Sequence, residues 1–187
     1  MPSDTGAPYN LPYPVGTDQP FVHLDMKALA EAVAASLADM VHPHVRIVRD
    51  GSVSGGTSNY GASTYFAVPL DAIQAAQTRD PDGVFTWSYA DRRLTVARTG
   101  LYAITYQSQT NKASTIAGIC LGGTGSTFTK LLGNGQSGAA LGGHNVSATH
   151  LLTAGEKVGV VLYFSATGDD ALESANNPHA LTVTYLG

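Results

Sequence analysis

The stretch Leu94-Thr-Val-Ala-Arg-Thr-Gly-Leu-Tyr-Ala-Ile-Thr-Tyr106 decides the fold class. Apolar or aromatic side chains occupy every second position in each half, and Thr99-Gly100 between the halves has the composition of a turn. Successive side chains of a strand point to opposite faces, so this alternation predicts two strands with one buried face each. The stretch therefore predicts neighbouring β-strands rather than a helix.

The same alternation recurs along the rest of the chain after Pro43, separated by turn signals such as Asp80-Pro-Asp-Gly83. Many short strands at this spacing are typical of a sandwich or barrel. We therefore predict an all-β fold, a two-sheet jelly-roll sandwich preceded by an extended arm and one α-helix. Glycine-rich stretches at 52–59, 122–126 and 132–143 predict loops or hairpin tips. The predicted core contains five inward-facing side chains: Trp87, Val160, Leu162, Phe164 and Val183.

One helical pattern stands out, over residues 25–41 of a segment that spans 23–43. Asp25 is the expected N-cap and Pro43 the expected stop. Apolar side chains recur at spacings of three and four and form a stripe that includes Met26, Leu29, Val33 and Leu37. Two interpretations stay open: the helix packs on its own domain, or it forms a short bundle with copies of itself.

Residues 1–22 hold five of the nine prolines and form the first of three predicted parts, before the helical segment 23–43 and a head domain over 44–187. Prolines fix the backbone in extended conformations, which predicts an extended arm. Apolar side chains would be unusual in a free solvated tail, so we expect the arm to anchor on another polypeptide. The expected anchoring residues are Leu11, Pro12, Tyr13, Pro14 and Phe21.

Composition argues against several classes of function. Lys plus Arg number 10 against 14 Asp plus Glu, a net charge of −4, and no basic run exists, which argues against nucleic-acid binding. No apolar run is long enough to span a membrane, and the N-terminus lacks the pattern of a signal peptide. The single cysteine, Cys120, excludes an intrachain disulfide and is expected in the core. No nucleophile or phosphate-loop motif appears, so no enzyme and no cofactor are predicted.

Metal binding has only weak candidates in the sequence. The stretch 168–177 is the densest cluster of oxygen ligands, of which Asp169, Asp170 and Glu173 are the candidates for calcium, but their spacing matches no defined calcium loop. A solvated acidic loop is the simpler interpretation, and no metal is predicted. His42-Pro-His44 supplies two possible ligands without a third nearby. His144 and His150 are expected on one face of a strand, where they could meet their copies in an oligomer, but ordinary loop and surface histidines are the simpler interpretation.

Residues 45–187 resemble the jelly roll of the tumour-necrosis-factor-like and complement globular-head family. Gly100, Tyr102 and Ile104 stand in the places of the family's Gly-x-Tyr-x-aliphatic strand, and the stretch 151–163 is similar to its later valine-rich strand. Glu156 stands where the family usually has Asp, and the usual terminal Phe-x-Gly is absent. The resemblance implies a homotrimer. It places three tyrosines near the threefold axis: Tyr102, Tyr106 and Tyr185.

The N-terminal part resembles a different group. Asn10-Leu-Pro-Tyr-Pro-Val-Gly-Thr-Asp18, followed by an alanine-rich helix, is similar to the start of minor tail and other virion proteins of phages that infect actinobacteria. This resemblance implies a virion structural protein of the tail or tail tip, held by other virion proteins through the arm, with a possible cell-surface glycan as a further partner. The alternative is a capsid decoration protein on the head. The alternative from another class is a cell-wall-acting hydrolase, which the scarcity of clustered titratable groups disfavours.

Overall fold

A computed structural model describes residues 5–6, 11–12, 22–39, 42–49, 64–109, 115–137, 143–165 and 179–187. The chain divides into two compact units, Met1–Val41 and His42–Gly187. The division lies close to the predicted boundary between the helical segment and the head, although the three-part organisation stays a prediction. Tyr13, Pro14 and Phe21 of the predicted arm lie outside the described residues.

The N-terminal unit contains a strand pair and a helix. Strands β1 (Thr5–Gly6) and β2 (Leu11–Pro12) pair antiparallel, so the arm includes a paired segment and is not one continuous extended strip. Helix α1 spans Val22–Asp39 and begins before Asp25, whose assignment as the N-cap is therefore wrong. The helix can begin earlier because no glycine or proline stands among the three residues before Asp25, which are Val22, His23 and Leu24. Within the described residues, no helix is both long and apolar enough to cross a bilayer.

The C-terminal unit consists of two antiparallel sheets, as the alternating pattern predicted. Its strands are β3 (His44–Val48), β4 (Thr64–Ala67), β5 (Ala72–Ile73), β6 (Phe85–Ser88), β7 (Arg93–Val96), β8 (Gly100–Gln109), β9 (Thr115–Leu121), β10 (Lys130–Ser137), β11 (Gly143–Leu152), β12 (Lys157–Phe164) and β13 (Ala180–Tyr185). The six-stranded sheet has the order β10-β9-β12-β7-β6, with β4 also paired to β12. The five-stranded sheet has the order β11-β8-β13-β3-β5. This crossed order of antiparallel strands is the predicted jelly-roll sandwich.

Apolar side chains from both sheets fill the space between them. All five predicted core residues are buried: Trp87, Val160, Leu162, Phe164 and Val183. Strand β12 is buried along most of its length, including Val161 on its other face, where its cross-strand partners are Ala67 and Gly118. Phe66 stacks on Phe164, with ring centroids 5.2 Å apart, and extends the core toward β4.

The glycine-rich stretch 132–143 is a strand as far as Ser137, so its prediction as a loop is wrong for those residues. A β-carbon at Gly133 would lie 3.1 Å from the carbonyl oxygen of Ser147, and one at Gly135 would lie 3.2 Å from Val146 Cγ2. The glycines therefore let strand β10 approach β11 closely. This approach joins the two sheets along one edge of the sandwich, a role that the composition alone did not indicate.

Candidate interaction surfaces

On three strands of the five-stranded sheet, β8, β11 and β13, the outward side chains are uncharged. Exposure alternates along β11, and the register with β8 and β13 places the outward residues side by side. On these three strands they are Leu101, Ala103, Thr105, Gln107, Asn145, Ser147, Thr149, Leu151, Thr182 and Thr184. Thr105 stands at the centre, opposite Ser147 on one side and Thr182 on the other. We call this surface the threonine face.

Three leucines lie exposed at one end of the threonine face. Leu101 is 40% exposed, Leu151 is 66% exposed and Leu186 is 37% exposed. Leu101 and Leu151 are cross-strand partners, and the backbone N–H of Leu186 donates to the carbonyl oxygen of Leu101 at 2.8 Å. These three residues form the leucine patch. Apolar side chains gathered at the end of an uncharged sheet face mark a surface suited to burial against another polypeptide.

The tyrosines predicted near the threefold axis point inward. Tyr102 and Tyr106 have no exposed surface within the single chain, so their assignment to an intermolecular interface is wrong. The hydroxyl of Tyr102 donates to the carbonyl oxygen of Arg98 at 2.6 Å. Tyr185 is half-buried and packs on the Tyr102 ring, with centroids 5.1 Å apart. Because Tyr185 keeps some exposed surface, an interface role for it stays a prediction.

Polar side chains replace apolar ones at one end of the core. The Tyr106 hydroxyl lies 2.8 Å from His179 Nδ1, and the Ser108 hydroxyl lies 3.2 Å from His144 Nδ1. Arg49 is also buried there, and among the described residues its Nη1 has no hydrogen-bond partner. Burial holds the pKa of the Tyr106 phenol well above its ordinary value. His144 is therefore buried within the single chain, contrary to the idea that it meets its copies in an oligomer.

The apolar stripe of the helix is exposed over the residues whose side chains are described. Met26 is 65% exposed, Leu29 is 47% exposed and Val33 is 49% exposed, while the side chain of Leu37 lies outside the described part. On the polar side Lys27 and Glu31 approach within 3.7 Å, a solvated pair of little energetic weight. The stripe remains a predicted interface.

Neither a metal site nor a reactive thiol emerges from the described residues. They contain no group of three or more His, Cys, Asp or Glu side chains that could hold a metal ion. His44 Nδ1 instead contacts the carbonyl oxygen of His42 at 3.1 Å, and Asp169, Asp170 and Glu173 lie outside the described part. Cys120 is buried as predicted, and burial raises the pKa of its thiol to about 11. At neutral pH this thiol is protonated and inaccessible.

Comparison with known proteins shows the fold alone. No family model matches the chain, and no curated protein matches it in sequence. A crystal structure of murine APRIL at pH 8.0 superposes with a TM-score of 0.57 at 16% identity, covering 78% of this chain and 100% of that one. A second crystal structure of murine APRIL, at pH 8.5, gives a TM-score of 0.53 at 14% identity over the same shares. The head domain thus has the tumour-necrosis-factor-like jelly-roll fold that its strand motifs predicted.

Proposed function

We propose that this chain is a structural protein of a bacteriophage virion, a homotrimeric module of the tail or tail tip that is held by its N-terminal arm. The observation that carries the self-association is the threonine face together with the leucine patch. The fold resemblance favours a trimer, and the N-terminal resemblance favours the virion. The module binds and assembles; it performs no catalysis.

The chemistry of the threonine face supports burial between copies. Across β8, β11 and β13 the outward side chains carry no charge, so covering them would require no desolvation of an ion. Interface centres are depleted in charged residues for the same reason. Arg46 on β3 borders the face, and its guanidinium is already engaged by Gln74 Oε1 at 2.8 Å and Thr182 Oγ1 at 3.3 Å. Covering the face itself would therefore bury no charge, and the guanidinium at its border is already held by hydrogen bonds to neutral groups.

Attachment to the particle is assigned to the arm and helix. Prolines make residues 7–22 stiff, which lowers the entropic cost of laying apolar side chains into a groove. The exposed stripe of Met26, Leu29 and Val33 suits a short bundle with the same helix of other copies. The head is then free to contact a cell-surface glycan. Seating the same trimer on the capsid as a decoration protein is the alternative.

Self-association is tested by light scattering on the purified full chain. We expect a mass three times the 19.4 kDa of one chain. Thr105→Asp places a charge at the centre of the threonine face and should shift the mass toward that of a monomer. Thr86→Asp is the matched control, because Thr86 is an exposed strand residue of the other sheet. A wild-type monomer at micromolar concentration, or a trimeric Thr105→Asp variant, would refute this interface.

Attachment is tested on virions of the source phage. Deleting residues 1–22 should leave a folded, trimeric head that no longer joins particles. Antibody labelling followed by electron microscopy then distinguishes tail from capsid, since the label marks where the full chain sits. If the truncated chain is incorporated as well as the full chain, the arm is not the attachment device. Absence of the full chain from virions would overturn the virion assignment itself.

A further inference from the structure

An open cleft of about 590 Å³ lies at one end of the sandwich, where the edge strands of the two sheets approach each other. Its walls come from the end of β9, the start of β10, the later part of β11 and the turn before β12. The polar side chains that line it are Thr129, Lys130, His150, Glu156 and Lys157. None of the functions considered so far uses this cleft.

Internal hydrogen bonds fix the walls of the cleft. Arg93 is fully buried and donates to the carbonyl oxygens of Gly122 at 3.0 Å, Gly125 at 2.9 Å and Thr127 at 2.8 Å. The backbone N–H of Gly122 donates to the carbonyl oxygen of Lys157 at 2.7 Å. The loop that forms one wall is therefore held from inside the sandwich. A preorganised wall lowers the entropic cost of binding a ligand.

Two of the charged lining residues already have partners. Lys157 Nζ lies 2.8 Å from Asp91 Oδ2, and Glu156 Oε2 accepts the backbone N–H of Thr153 at 2.6 Å. The side chains of Lys130 and His150 make no hydrogen bond or ion pair with the described part of the chain. An ammonium offers three donors, and an imidazole offers at least one. The lining carries two lysines against one carboxylate, that of Glu156, whose second oxygen remains an acceptor. The side chains of Lys130 and His150 can both donate, so this excess of positive charge favours an anionic ligand.

We propose that this cleft binds the carboxylate of an acidic sugar, with Lys130 as the ion-pairing group and His150 as a hydrogen-bond donor. The assignment deepens the proposed glycan contact and rests on it for the choice of a sugar over other anions. The volume accommodates one or two sugar rings. The Thr129 hydroxyl donates to the carbonyl oxygen of Leu121 at 2.9 Å, and its oxygen can still accept from a ring hydroxyl. Charge-assisted hydrogen bonds to a carboxylate are the strong ones, so the acid group should dominate recognition.

The test compares two probes that differ only in the acid group, methyl β-D-glucuronide and methyl β-D-glucoside. Their dissociation constants are measured by NMR titration of the full chain. We expect the glucuronide to bind about tenfold or more tightly than the glucoside, because one charge-assisted contact is at stake. Lys130→Ala and His150→Ala should each weaken glucuronide binding. Lys27→Ala is the control, since Lys27 is an exposed lysine of the helix.

Equal binding of the two probes, or an unchanged Lys130→Ala variant, would overturn the proposal. Displacement of the glucuronide by an equal concentration of acetate would reduce the cleft to a simple anion site and overturn its sugar preference. The result is independent of the proposed function. If the chain is a trimer present in virions but fails to bind the glucuronide, only the proposal for the cleft is refuted. If the chain binds the glucuronide but is a monomer absent from virions, only the proposed virion function is refuted.

Discussion

The hydroxyl of Tyr106 lies 2.8 Å from Nδ1 of His179 in the interior of the sandwich. Neither residue has exposed surface. Tyr106 belongs to β8, and His179 directly precedes the neighbouring strand β13. A buried pair of this kind contributes to stability chiefly because losing one partner leaves the other without its hydrogen bond. The relationship makes Tyr106 a residue of the core of the single chain and not of the proposed trimer interface.

Changing Tyr106 to Phe tests this placement. We expect the free energy of unfolding to fall by about 1–3 kcal/mol, since His179 loses a buried hydrogen bond. The oligomeric mass should not change. Urea denaturation and light scattering measure the two quantities, with Tyr89→Phe as the control because Tyr89 is 55% exposed. Dissociation of the oligomer without a loss of stability would return Tyr106 to the interface.

Truncation of Leu162 to Ala tests the core between the sheets. Leu162 is fully buried on β12, so the cavity left behind should lower the free energy of unfolding by about 2–5 kcal/mol. Ile73→Ala is the comparison, because Ile73 is 43% exposed on an edge strand and should cost less. The measurement is again urea denaturation. A change under about 0.5 kcal/mol for Leu162→Ala would mean that the site is not well packed.

The strands and most of the core could be predicted because period two is a local property of the sequence. Leu162 and Val183 were placed on the buried face from alternation alone, and both are fully buried. The same alternation could have placed Tyr102 inside. Tyr102, Ile104 and Tyr106 share one face of β8, and the residues between them, Ala103 and Thr105, are small. The family resemblance instead assigned Tyr102 to the trimer axis, and its side chain lies in the core.

Other features could not be read from local patterns because they join distant parts of the chain. Arg93 meets the 122–127 loop about thirty residues later, and no charged partner in the sequence signals that contact. Lys130 and His150 line one cleft only because β10 and β11 approach at the sheet edges. Glycine content suggested a loop at 132–143, but residues 132–137 belong to a strand, in which Gly133 and Gly135 allow close packing against β11.

Alkaline pH should destabilise the head. The ordinary pKa of a thiol is 9.0, and burial raises that of Cys120 to about 11. Between these values the unfolded chain has released the proton and the folded chain has kept it, so the free energy of unfolding falls as pH rises. Buried Tyr106, whose phenol pKa is raised from its ordinary value of 10.0, adds to the loss above pH 10.

The measurement is the free energy of unfolding from pH 7 to pH 11, for the wild type and for Cys120→Ala. The variant should lose less stability between pH 9 and pH 11, because it lacks the thiol that ionises only on unfolding. The native thiol should also resist alkylation at pH 8 until denaturant is added. Identical pH profiles for the two proteins, or rapid alkylation of the native chain, would contradict a buried neutral thiol.

The last prediction concerns the contact between Arg93 and Gly159. A β-carbon at Gly159 would lie 2.6 Å from Nη1 and 2.7 Å from Cδ of Arg93, so Gly159→Ala forces the guanidinium away from the carbonyls that it holds. We expect Gly159→Ala to cost about 1–3 kcal/mol by overpacking. Arg93→Ala should cost about 3 kcal/mol or more, because the loop carbonyls lose their donor.

Combining the two changes decides whether they act through the same contact. Removing the Arg93 side chain makes room for the methyl group that Gly159→Ala introduces, so the double variant should be more stable than the sum of the single effects predicts, by about 0.5–3 kcal/mol. Gly143→Ala is the matched control, since its β-carbon would meet only the Ser108 carbonyl oxygen at 3.8 Å. Urea denaturation of the four proteins of the cycle gives the coupling. Strict additivity would show that Gly159 does not shape the position of Arg93.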